Sequence, residues 1–254
     1  MTETKLMCVI PALLAALCAA AEPLPLYRGS VSFHLGFDGA TEADISRGKP
    51  APVRTVGTAG FRNGLRGKAL FCGKDGGALF FLKKDNIRFS RSGTILFFYK
   101  PLAWEKDKYK GGVSFLGFPS GSGALHLNIA YDPVSLPPGR RPLAVLFLHG
   151  KRIPSQLYLL PAAKDKNTGE TWHLFAFSWE PGRLQTSRDG RPWKEFPVGF
   201  TLADEDFPSP VFCVGNNVNW NYLLDEFTVY DRVLSCGEIA AVYKEAAGGL
   251  RPAR

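Results

Sequence analysis

The chain has 254 residues, 45% of them hydrophobic, with 27 glycines, 19 prolines and 19 phenylalanines. That profile excludes a largely disordered chain and suits many turns between aromatic-rich strands in one domain. The formal net charge is +8, but the basic residues are scattered; Lys106, Lys108 and Lys110 alternate and Arg140-Arg141 is a short pair, so no polybasic tract marks a nucleic-acid partner.

Residues 1–21 read as an export signal. Lys5 begins it, Met7 to Ala20 is nearly all apolar, and Ala19 and Ala21 supply the small residues of a cleavage site before Glu22-Pro23. The apolar run is short for a membrane span and contains Pro11, and no later stretch is long and apolar enough to cross a bilayer. The expectation is one domain over residues 22–254, secreted, periplasmic or on the cell surface, with no transmembrane segment after cleavage. Cys72, Cys213 and Cys236 then remain. Free buried thiols or one disulfide both fit, and the pairing is open. No Cys-x-x-Cys suggests zinc.

Val31, Phe33, Leu35 and Phe37 alternate with Ser32, His34 and Gly36, the period of a half-buried strand. A long Gly/Pro/Arg-rich connection over 39–67 follows, with an extended piece near 53–56. Strands are expected at 69–72 and 78–81, joined by Gly73-Lys74-Asp75-Gly76-Gly77 as a hairpin turn. Residues 93–101 are nearly all β-branched or aromatic until Pro101 closes the run. Further strands are expected at 113–118, 124–131, 143–149, 156–160, 171–179, 183–187, 212–214 and 223–230. In 171–179, Trp172, Leu174 and Ala176 alternate with His173, Phe175 and Phe177, so both faces are apolar and both are covered. Residues 236–246 carry Ile239, Val242 and Tyr243 at helical spacing, after Ser235 as cap with Glu238 three residues on. The pattern is an all-β, two-sheet antiparallel sandwich closed by a short C-terminal helix.

Two segments carry a family resemblance. The run from Gly169-Glu170-Thr171-Trp172-His173 to Arg188-Asp189-Gly190-Arg191-Pro192 resembles a hairpin of laminin-G-like jelly rolls. The run Leu224-Asp225-Glu226-Phe227-Thr228-Val229-Tyr230-Asp231-Arg232-Val233-Leu234-Ser235 is similar to their last strand and the turn into a helix. Phe37-Asp38-Gly39 and Asn63-Gly64-Leu65-Arg66-Gly67-Lys68 add a weaker match. Together these span residues 31–246 and resemble the laminin-G-like and concanavalin A-like lectin/glucanase fold. Leu223-Leu224 before Asp225 and the Pro-rich stretch 133–142 depart from that pattern. The resemblance implies a structural calcium ion held by Asp38 and Asp225, with backbone carbonyls near Gly67, because calcium takes several hard oxygen ligands.

The residues themselves suggest a binding surface. Trp104, Trp193, Trp220 and Tyr222 lie in polar, loop-like surroundings, and Asn216, Asn217, Asn219 and Asn221 interleave with the last two. Aromatic faces stack on sugar rings and amides hydrogen-bond hydroxyls, so Trp104, Trp193, Asn219, Trp220 and Tyr222 are the candidate ligand residues. The alternative is that Trp193 and Trp220 cover the sandwich edges.

Catalytic signatures are lacking. The glycosidase pattern Glu-x-Asp-x-x-Glu is not found: Asp204-Glu205-Asp206 runs into Phe-Pro-Ser-Pro. No Gly-x-Ser-x-Gly elbow occurs. The sequence therefore reads as a non-catalytic binding module for carbohydrate at rim loops. The alternative is an interaction or adhesion module whose partner is an extracellular or periplasmic protein. A polysaccharide-acting enzyme is more distant.

Overall fold

The computed structural model describes residues 24–102, 113–118, 126–131, 145–150, 153–159, 171–218 and 220–248. The expected export signal lies outside them. Among the described residues no helix is long and apolar enough to cross a membrane.

Sixteen strands are described: β1 Val31–Leu35, β2 Ile45–Ser46, β3 Arg54–Gly57, β4 Gly60–Asn63, β5 Lys68–Cys72, β6 Gly77–Leu82, β7 Gly93–Pro101, β8 Val113–Gly117, β9 His126–Tyr131, β10 Val145–Gly150, β11 Ile153–Leu159, β12 His173–Glu180, β13 Arg183–Arg188, β14 Lys194–Pro197, β15 Val211–Gly215 and β16 Tyr222–Tyr230. One helix, α1, covers Cys236–Gly248. The strands form two antiparallel sheets. The first runs β14-β13-β12-β7-β16-β1-β2, with β5 also on β16 and β4 on β5; the second runs β11-β10-β9-β8-β15-β6-β3. The fold is the expected two-sheet sandwich with a C-terminal helix.

Side-chain alternation builds two large cores, beside a small cluster of Ala69, Phe71 and Leu223. Phe33, Phe97, Phe175, Phe177 and Phe227 of the first sheet face Phe81, Phe115, Phe212 and Val214 of the second, all fully buried. Phe33 meets Phe81 and Phe212 edge-on at centroid distances of 5.0 and 5.2 Å, an arrangement favoured by the ring quadrupoles. On the outer face of the first sheet, Leu96, Phe98, Leu174 and Ala176 pack with Ile239, Val242 and Ala246 of α1. Both faces of β12 are therefore covered, as its continuous apolar run requires. The helix starts in a capping box: Glu238 N donates to Ser235 Oγ at 3.2 Å, and Ser235 N to Glu238 Oε2 at 2.8 Å.

Three details differ from the sequence reading. β1 is buried on both faces rather than one. Ser32 and His34 turn away from the inter-sheet core but are covered; Ser32 Oγ donates to Asn86 O at 2.7 Å and His34 Nδ1 pairs with Thr228 Oγ1 at 3.0 Å. A register shift against β16 between Val31 and Phe33 also sends Val31 to the helix side. Finally, β5 and β6 are not a hairpin. β5 pairs with β16 and β4, whereas β6 pairs with β15 and β3 in the other sheet. The glycine-rich turn between them crosses the sandwich, and its Gly73, at φ 102°, leaves no room for a side chain: a Cβ there would lie 2.3 Å from Trp220 O.

Candidate functional site

The strand ends at one rim of the first sheet, together with the 83–92 segment between the sheets, enclose a recess of about 200 Å³. Its wall and floor include Ser32 at the start of β1, Ser92 before β7, Trp179 at the end of β12, and Val229 and Tyr230 at the end of β16. Trp179 and Tyr230 are 2% and 1% exposed. Around the mouth stand Arg47, Asp85, Arg88, Arg91 and Asp231.

The segment carrying three of those residues is firmly held. Asn86 is fully buried. Its Oδ1 accepts from Gly48 N and Ser46 Oγ, both at 2.9 Å, and its Nδ2 donates to Leu82 O at 3.0 Å and Lys49 O at 3.2 Å. These four contacts satisfy the capacity of a buried amide. Asp204 clamps the far side, its Oδ1 accepting from Phe89 N at 2.8 Å and its Oδ2 from Ser90 Oγ at 2.7 Å. Ile87 and Phe89 anchor the segment in the inter-sheet core. Lys83 Nζ donates to the Asp204 and Phe207 carbonyls, and burial holds its ammonium below the usual lysine range, partly offset by Asp204 and Glu205.

Two of the rim arginines are ion-paired. Arg47 Nη1 lies 2.6 Å from Asp231 Oδ2, and Arg88 Nη2 contacts Asp85 Oδ1. All four side chains are more than a third exposed, so the pairs add little stability, but they orient the guanidinium forks. Each guanidinium has five N–H donors. Arg91 is exposed; its carbonyl accepts the Trp179 indole N–H at 2.6 Å.

The expected ligand residues are not assembled into one platform. Trp104 and Asn219 lie outside the described residues. Trp220 is 3% exposed and Tyr222 fully buried, both in the inter-sheet core. Tyr222 OH donates to Ser114 O at 2.7 Å, and its ring meets Phe115 edge-on at 5.0 Å. The close approach of Gly73 holds the chain at Trp220 against the crossing turn. Neither ring presents a face to solvent, which corrects the expectation of a Trp220/Tyr222 stacking surface. Trp193 is half-buried against the helix-side core, where its Nε1 donates to Leu234 O at 2.8 Å. It is part of a different cluster from Trp220 and covers an edge. Asn221 braces the crossing turn, its Nδ2 donating to Asp75 Oδ2 at 2.7 Å.

Asp38 and Asp225 each accept hydrogen bonds from the backbone between β4 and the start of β5. Asp38 Oδ1 accepts from Lys68 N at 2.8 Å, while Asp225 Oδ2 accepts from Leu65 N at 2.8 Å and Oδ1 from Glu226 N at 2.9 Å. Asp225 is fully buried. Burial, and then the neighbouring Glu226, push its carboxyl well above the usual range, against the pull of the backbone N–H groups.

The rim arginines stand outside the residues that the sequence singles out for ligand binding. The local signal was Arg88-Phe89-Ser90-Arg91-Ser92 directly before the strongest strand, but Arg47 and Trp179 join it only through the fold.

No protein-family model matches the chain, and no curated protein matches it by sequence. Solved structures do match by shape. The binding domain of botulinum neurotoxin DC in complex with rat synaptotagmin II superposes with a TM-score of 0.63 at 13% identity, covering 86% of this chain and 52% of that one. A botulinum neurotoxin type C structure, described by cell entry that depends on two ganglioside molecules, gives 0.62 at 12% identity, covering 85% and 51%. The binding domain of Paraclostridial Mosquitocidal Protein 1 gives 0.58 at 14% identity, covering 84% and 51%. The chain spans about half the length of these structures, and at such identities the likeness is one of fold.

Proposed function

We propose that this chain is an exported, non-catalytic binding module of the laminin-G-like type that recognises carbohydrate at the rim recess. The observation that carries the reading is the recess itself: a concave site where Ser32, Ser92 and three arginines converge over the buried Trp179, Val229 and Tyr230, on a segment locked by Asn86 and Asp204. Saccharide hydroxyls are held by convergent hydrogen-bonding groups in a concave site, and a rigid segment lowers the ordering cost of binding. The recess carboxylates, Asp85 and Asp231, are each paired to an arginine. That favours binding over acid/base catalysis, which needs one carboxyl kept protonated. A binding role is also in keeping with the fold likeness to about half of a neurotoxin binding domain in complex with synaptotagmin II, and to half of a neurotoxin structure whose cell entry depends on two ganglioside molecules.

A glycan array probed with the protein, beside Ser92→Trp, tests this. Ser92 is half-buried at the recess wall, so an indole there fills the space. Glycan binding lost in the plugged variant is the expected result. A folded wild type that binds no glycan moves the reading to a protein partner.

Calcium at Asp38 and Asp225 is a separable part of the proposal. Supporting it, both carboxylates accept hydrogen bonds from the one short stretch 65–68, so their oxygens lie along the same piece of backbone. The ion would exchange loop N–H contacts for its own oxygen ligands. A melting temperature higher in calcium than in EDTA, with the difference lost in Asp38→Asn, is expected. Equal values in both buffers remove calcium from the account.

A further inference from the structure

We infer that the rim recess selects saccharides carrying an oxyanion, a sulfate ester or a carboxylate, and that Arg91 is its principal anion ligand. The inference rests on the carbohydrate reading and adds the substrate class. Three arginines, Arg47, Arg88 and Arg91, line the recess together with two acidic residues, Asp85 and Asp231. Each carboxylate is already committed to one arginine. Among the described residues, Arg91 forms no ion pair.

The geometry suits an incoming oxyanion. The two ion pairs occupy one amino group each, Nη1 of Arg47 and Nη2 of Arg88, and a planar fork with five donors keeps others available. A second oxyanion in the recess can therefore bind without displacing Asp85 or Asp231. Arginine is suited to this, since it forms paired, charge-assisted hydrogen bonds with sulfate- and carboxylate-like oxygens. The charged groups at the mouth are exposed, so their attraction for an oxyanion is screened by salt, and binding weakens as ionic strength rises. The long-range field agrees, because the net charge of +8 draws anionic ligands toward the surface.

The segment is set before the ligand arrives. Asn86 and Asp204 hold it, and the Trp179 N–H fixes the Arg91 backbone at its carbonyl. That last contact uses no side-chain atom of Arg91. Arg91→Ala therefore removes the cation and leaves the Trp179 hydrogen bond in place, so the variant reports on the ligand and not on the fold.

The experiment is a calorimetric titration of wild type, Arg91→Ala and Arg91→Lys with four oligosaccharides of matched length: sulfated, chemically desulfated, uronate-bearing and carboxyl-reduced, each at low and high salt. Tryptophan emission checks that every variant is folded. The expected result is binding of the acidic forms that weakens with salt, falls by about tenfold or more in Arg91→Ala, and is partly retained in Arg91→Lys. The sulfated and uronate arms distinguish the two oxyanions. Equal affinity for acidic and neutral forms, or acidic binding that Arg91→Ala leaves unchanged, overturns the inference while the carbohydrate reading stands. A folded wild type that binds none of the four overturns both.

Discussion

The indole N–H of Trp179 donates to the carbonyl of Arg91 at 2.6 Å, so a core side chain of β12 sets the backbone of the rim segment. Trp179 lies against Phe89 at 5.0 Å and stacks on Phe177 at 5.7 Å. Through this bond, the packing between the sheets reaches the mouth of the recess.

Gly93 makes that position possible. A Cβ on Gly93 would lie 2.3 Å from Trp179 Cζ2 and 2.6 Å from Cη2. Gly93→Ala therefore forces the indole to move, and overpacking of this kind costs about 1–3 kcal/mol. Urea denaturation of Gly93→Ala should show that loss, together with weaker glycan binding. Unchanged stability would mean that the ring is not held where the structure has it.

A second prediction concerns His34 and Glu226, whose Nε2 and Oε2 are 3.5 Å apart in a nearly solvent-free setting. Burial lowers the imidazole to about 4 and raises the carboxyl to about 7. Between those values both groups are uncharged, so the contact is not an ion pair there. The raised carboxyl contributes stability that is full below its unfolded value and lost as pH rises through about 7. The lowered imidazole contributes stability that is full above its unfolded value and lost as pH falls through about 4. The two trends oppose, and the wild-type profile between these limits is flattened. Glu226→Gln removes one of them. Measured in EDTA, its stability relative to wild type should rise with pH from about 4.5 to 7 and then level off, by on the order of 3 kcal/mol. A difference independent of pH would contradict the burial of Glu226.

The cysteines should differ sharply in reactivity. Cys236 is exposed at the start of α1, whereas Cys72 is buried. Burial pushes the Cys213 thiol up to about 12 and the Cys72 thiol higher still. Since the thiolate is the nucleophile, iodoacetamide at mildly alkaline pH should label Cys236 first, with Cys213 and Cys72 labelled only on unfolding. Peptide mapping by mass spectrometry reads the order. Early labelling of Cys72 would contradict the packing of β5 against β16.

How much of this was legible depended on the range of the interactions. Residues 93–101 announced themselves because nearly every side chain there favours a strand, and the observed β7 has the same limits. The Ser235/Glu238 cap was local and therefore readable. The crossing between β5 and β6 was not. Its glycines permit a tight turn, but Leu224 and Phe212 draw the flanking strands into different sheets. Trp220 and Tyr222 are also placed by long-range packing. Their asparagine neighbours suggested exposure, whereas the amide of Asn221 braces a turn and the rings fill the core. The recess joins Arg47, the 85–92 segment, Trp179 and the end of β16, and no local pattern links positions so far apart.

Ligand entry at the recess beside Trp179, and not at residues 216–222, is open to direct measurement. Hydrogen–deuterium exchange, measured with and without the oligosaccharide that binds best, tests it most directly. Slower exchange at residues 85–92 and 229–231, with residues 216–222 unchanged, is the expected result. Protection confined to residues 216–222 would contradict it.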